Sequence, residues 1–329
     1  MRHAGGGDQL PDQEREGYDH GGRQQSAAAP SEHARPAVEG CEERTRSDDR
    51  GAERGRREEP ERPRLELSGP KLAAAFERLV SGSEEHGGIE RYVAALQAKS
   101  AIFRLALERG EGLDLKTFKT LCALSATVRR RVTAYLAPAS FQVLRTEIDR
   151  LLTGREDTLT TDERMSSFRS AFTEDRKHRW VHDLAAEVLH NVDPERYPLM
   201  CRWVWDANAN TGVLREIWHA EDVDQCVIGT PSRYGTYLML REELSQFLAA
   251  NGVFRDVLWY VDLLTAQVYA DYISEQGGTY LRTEFGTPED PMHHVQRLLG
   301  LDGVDQRGRT RLKAFDGEAF VVEDVKLLD

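Results

Sequence analysis

Beyond residue 66, apolar positions recur at helical spacing through most of the chain. Leu72, Phe76, Leu79 and Val80 form the first stripe. Ser68 can cap it, Pro70 suits a first-turn position, and Gly82 is expected to end it. A second helix is expected between Gly88 and Gly110, with Tyr92, Val93, Leu96, Ile102 and Phe103 along one face. Residues 114–135 read as helical with a break near Ser125, and Pro138 opens a further helix over 139–153. The polar run 154–162 reads as a connector and divides the ordered chain into 66–155 and 156–329.

The second part continues in the same period. Helices are expected at 174–191, 198–208, 212–220, 236–250, 254–276 and 291–299. The 254–276 segment is apolar around much of its circumference, which predicts the central helix of the core. At the end, RLKAFDGEAFVVEDV alternates about Asp316-Gly317, the pattern of a β-hairpin. The expected fold is mainly α: an irregular multi-helix assembly with a small C-terminal hairpin.

Composition separates residues 1–65 from this body. They contain no Phe, Trp, Ile or Lys, one aromatic (Tyr18), and 12 Arg against 15 Asp or Glu. Such a segment buries too little apolar surface to offset the entropy of ordering it, and a disordered tail is expected. The chain carries a formal charge of -12, of which the tail accounts for -3. An acidic body disfavours DNA as a partner. Cys41, Cys122, Cys201 and Cys226 form no CxxC pair, and the chain shows neither a secretory leader nor an apolar run of membrane-spanning length. A cytoplasmic location is therefore expected. The 37 Arg to 7 Lys suggest a GC-rich bacterial genome.

Four stretches carry candidate chemistry. Residues 118–132, FKTLCALSATVRRRV, resemble the turn and recognition-helix start of bacterial helix-turn-helix proteins. The resemblance implies Thr127, Arg129, Arg130 and Arg131 as DNA contacts. It departs from that pattern at Ala123, where a Gly usually turns the chain, and at Lys119, where a small residue usually stands.

Two Glu-x-x-His units, Glu187/His190 and Glu216/His219, each place a carboxylate and an imidazole on one helical face. Paired units of this kind build carboxylate-bridged metal sites in helical bundles, although 29 residues leave little room for the intervening helix such bundles use. Asp183, Glu187, His190, Asp206, Glu216 and His219 also lie among four of the five tryptophans, where acid–base groups acquire shifted pKa values. Arg202 and Arg215 are available as partners. Trp203, Trp205 and Trp218 form an interface if they are exposed and core if they are not.

Nucleotide-binding and nucleophile-elbow motifs are absent from the sequence. The leading expectation is a non-catalytic adaptor or regulator with a protein partner and no cofactor. The alternatives are a DNA-binding regulator acting through 118–132, and a metal-dependent or acid–base enzyme centred on 182–219.

Overall fold

A computed structural model describes residues 65, 67–108, 112–219, 227–277, 291–313, 319–322 and 325–328. Apart from Leu65, the expected tail lies outside these residues, as do Cys41, Cys226 and the turn at Asp316-Gly317. Residues 61–329 form one compact unit, with the 154–162 connector inside it.

The fold is mainly α. Its helices are α1 (Gly69–Glu84), α2 (Ile89–Leu107), α3 (Leu115–Ala123), α4 (Ala126–Arg129), α5 (Pro138–Leu152), α6 (Thr161–Ser170), α7 (Trp180–Val192), α8 (Val213–Glu216), α9 (Tyr234–Ala250), α10 (Val257–Gly277) and α11 (Pro291–Leu298). Short 3-10 turns lie at Val132–Tyr135 and Thr158–Thr160. Strands β1 (Arg309–Lys313) and β2 (Ala319–Val321) pair antiparallel, Arg309 with Val321 and Lys313 with Ala319, with a register irregularity between.

The core is organised around α7. Every residue of Trp180–Val192 except His182 is buried, and α2, α4, α5 and α6 pack against it. Helix α10 is the second axis, touching α1, α2, α8, α9 and α11. The wide apolar face of 254–276 thus does mark a core helix, but α7 is the more enclosed of the two.

Three local outcomes differ from the sequence pattern. The 118–132 segment breaks at Leu124–Ser125, where a break is expected, but the helix following Ser125 is a single turn. Helix α6 starts inside the expected connector, at Thr161, and runs to Ser170, while the 174–191 segment becomes helical only at Trp180. The helix expected at 198–208 does not form. Its carbonyls are committed elsewhere: Val213 N donates to Trp203 O and Leu214 N to Val204 O, both at 3.1 Å. Gly212, at φ +119°, permits this close approach, since a Cβ there would sit 2.8 Å from Val204 O.

The C-terminal segment closes over the α3–α4 corner. Cβ atoms added at Gly300 and Gly303 would lie 1.9 Å from Leu124 O and 2.3 Å from Ala123 O. Backbone meets backbone there with no room for a side chain.

Candidate functional site

Helix α7 carries a polar stripe through an otherwise apolar core. Asp183, Glu187 and Asn191 recur every four residues, with His190 beside them, and all four are buried. Buried charge is tolerated when it is paired and hydrogen-bonded, and Asp183, Glu187 and His190 each meet a partner from another part of the chain. Lys99 Nζ on α2 donates to Glu187 Oε2 and to Leu299 O, both at 2.8 Å. Asn191 Nδ2 donates to the same Glu187 oxygen at 3.0 Å. Asp183 accepts from Arg202, through the backbone N–H and Nη2, at 3.0 Å each.

His190 is held at both ring nitrogens. Nε2 lies 2.9 Å from Asp262 Oδ2 on α10, and Nδ1 lies 2.8 Å from Tyr197 O. Two acceptors require two donors, so the geometry suits the imidazolium. Burial by itself would lower this pKa, but the Asp262 charge and hydrogen bond, with Tyr197 O, outweigh it and hold the ring above its ordinary value. Two α7 turns earlier, His182 behaves oppositely. Burial lowers its pKa, Nε2 meets Met200 O at 3.0 Å, and Nδ1 is buried without a protein partner.

The second Glu-x-x-His unit does not join the first. Glu216 ends α8, and His219 beyond it is exposed. Among the described residues, no three His, Cys, Asp or Glu side chains converge into a set able to hold a metal ion. Asp206 stands apart from the α7 stripe, with its Oδ1 accepting from Ala209 N.

Of the helix-turn-helix candidates, Arg129 is 2% exposed and its Nη1 lies 2.8 Å from Asp302 Oδ1. Thr127 is partly buried, and Arg130 and Arg131 are exposed. Gly300 and Gly303 occupy the outer side of the turn itself. Arg129 and the turn are therefore occupied by the protein's own C-terminal segment.

The tryptophans divide. Trp205 is fully buried, its indole N–H donating to Thr230 O, and Trp203 is buried against Tyr269. Trp218 is partly buried. Both Trp203 and Trp205 pack into the core.

A concavity lies beside the α7 stripe. An open cleft of about 1140 Å³ is walled by α6, the 171–179 connection, α7, residues 200–209 and the start of α9. The connection is built by Asp175, whose Oδ1 accepts from Lys177 N and His178 N and lies 2.8 Å from His178 Nδ1. Tyr135 holds it from outside, packing edge-on against Phe172, His178 and Trp180. Leu159 stands 93% exposed on the rim. Arg169, Arg176, Arg179, Arg202 and Arg233 line the walls. Arg202 is tied to Asp183, and among the described residues no carboxylate lies within ion-pair distance of the other four.

Sequence reasoning points to Arg202 as a partner and misses Lys99 and Asp262. The signal for these last two was available: each is a lone charge on an otherwise apolar helical face. No protein family, curated protein or solved structure matches the chain.

Proposed function

We propose that the protein is a non-catalytic interaction protein, an adaptor or regulator of the bacterial cytoplasm, and that it receives a protein partner in the cleft between α6, the 171–179 connection, α7 and α9. The observation that carries this reading is the cleft itself: open, about 1140 Å³, and bordered by four arginines without ion-pair partners among the described residues. Its volume exceeds the range of roughly 300–1,000 Å³ typical of enclosed small-molecule sites.

The α7 groups favour binding over catalysis. Glu187 Oε2, both Asp183 oxygens and both His190 ring nitrogens are engaged within the protein. A general base needs a free lone pair facing the reacting proton, and His190 offers none in this arrangement. The bacterial assignment rests on the sequence bias toward arginine, and the cytoplasmic one on Cys122 and Cys201, both buried free thiols.

A photo-crosslinking residue at Leu159, on the cleft rim, tests the reading in cells, with Val143 as an exposed position away from the cleft. The expected result is a discrete crosslinked protein from position 159, absent from position 143 and lost in Arg176→Glu/Arg179→Glu. The same products from both positions would overturn it.

A further inference from the structure

Resting on that reading, we infer that the cleft is built for an extended acidic peptide, with spaced carboxylates seated on its arginines and apolar side chains between them.

The argument begins with how the lining charges are used. Three of the five acids in the cleft serve its own backbone. Asp162 Oδ1 accepts from Tyr234 N at 2.9 Å, Asp175 Oδ1 from Lys177 N and His178 N, and Asp206 Oδ1 from Ala209 N at 3.2 Å. These carboxylates hold the walls together. The arginines do the reverse. Arg169, Arg176, Arg179 and Arg233 are exposed, and their guanidinium groups have no carboxylate in reach among the described residues. They come from three separate elements: α6, the 171–179 connection and the residue preceding α9. A guanidinium fork pairs a carboxylate through two parallel hydrogen bonds, and several forks on different walls suit a ligand with several separated carboxylates.

Charge balance decides between anions. Five arginines face five acids in the lining, so the cleft has no large net positive field. Nucleic acid binding draws its affinity from such a field through counterion release, and the acidic body opposes it further. Short-range pairing at individual arginines needs no such field. The apolar part of the lining that solvent reaches is Leu159 on the rim and the partly buried ring of Tyr234, while Met165, Phe172 and Tyr237 line the cleft as buried side chains. An exposed leucine between arginines suits a peptide that alternates acidic and apolar residues.

The test is selection of a displayed random 12-residue peptide library on the full chain. The native protein should enrich sequences rich in Asp and Glu interleaved with apolar residues. That enrichment should disappear on Arg176→Glu/Arg179→Glu/Arg233→Glu and persist on Arg131→Glu, an exposed arginine outside the cleft. Circular dichroism of each variant reports that the helices remain. A synthetic copy of an enriched peptide should bind at least tenfold more weakly to the triple variant, and its Asp→Asn, Glu→Gln counterpart should lose binding to the native chain. Neutral or basic sequences that depend on the cleft would overturn the acidic assignment while leaving the partner-binding reading intact. Acidic sequences recovered equally on the triple variant, or no cleft-dependent sequence at all, would overturn both. A single-stranded oligonucleotide that outcompetes the enriched peptides in the cleft would also overturn the inference.

Discussion

His190 on α7 and Asp262 on α10 face each other at 2.9 Å, and the opposite edge of the same imidazole lies 2.8 Å from Tyr197 O. One side chain thereby joins the two core helices and the segment that follows the first. Because the pKa is raised in the folded state, His190 contributes stability that is full below the unfolded value of about 6.5 and fades as pH rises through the folded value. His190→Leu leaves Asp262 buried and unpaired, a change that costs about 3–5 kcal/mol. Urea unfolding at pH 6 should show that loss, and the gap between native and variant should narrow toward pH 9. A gap that does not change with pH would sink the assignment of charge to His190.

His182 predicts the opposite slope. Its folded-state pKa is lowered, chiefly by burial, so the ring stays neutral in the folded protein and stability is lost as pH falls below about 6.5. His182→Gln should lose less stability than the native chain between pH 7.5 and pH 5.5. In the native protein, imidazole NMR signals should show His182 titrating at lower pH than His190; the reverse order would refute both assignments.

Lys99 and Glu187 form an ion pair whose side chains are 4% and 3% exposed. Lys99→Met should destabilise by about 3–5 kcal/mol, since it strands a buried carboxylate. Adding Glu187→Leu should recover a large part of that loss, because an apolar pair replaces the ionic one without an orphan. Chemical denaturation of the two single variants and the double variant measures the coupling directly. Additive losses would show that the pair does not act as a unit.

Gly300, at φ +72°, has no space for a methyl group beneath Leu124 O. Gly300→Ala should cost about 1–3 kcal/mol from backbone strain, with the steric displacement added to it. Gly69→Ala, where nothing lies within 4 Å, is the matched control and should change stability by less than about 1 kcal/mol. Thermal unfolding of both variants makes the comparison; equal melting temperatures would mean that the 300–303 segment does not pack on the α3–α4 corner.

The helical architecture was legible because a period of 3.6 is written locally. Helices α1, α2, α5, α9, α10 and α11 each follow from their own stripe and stop signals, and the hairpin from its alternation. The stretch 193–212 was not legible. Its tryptophans read as a buried helix, yet its carbonyls pair with residues 213 and 214 through a glycine approach that no periodicity records. Helix α6 has a polar face broad enough to blur its period, with only Thr161, Met165 and Phe168 buried.

The site followed the same division. Asp183, Glu187 and His190 stood out as charges on an apolar helix, and Arg202 could be named as a partner. Lys99 lies 88 residues from Glu187, and Asp262 lies 72 from His190, so neither pairing can be read locally. The cleft is more remote still, since its walls come from five stretches and exist only once they are assembled.

The closure of residues 299–303 over the N-terminal helices sets an order of events during synthesis. Lys99 needs the carbonyl of Leu299, and Arg129 needs Asp302, partners made 200 and 173 residues later. While the ribosome is still working through α7 and α10, the emerging chain holds two cations and the Leu124–Ser125 corner without their final cover. Loop closure over such distances is slow, and the waiting surface is exposed to misassembly. Residues 299–303 thus latch Lys99, Arg129 and the α3–α4 corner, and a chain stalled before residue 299 would lack that cover.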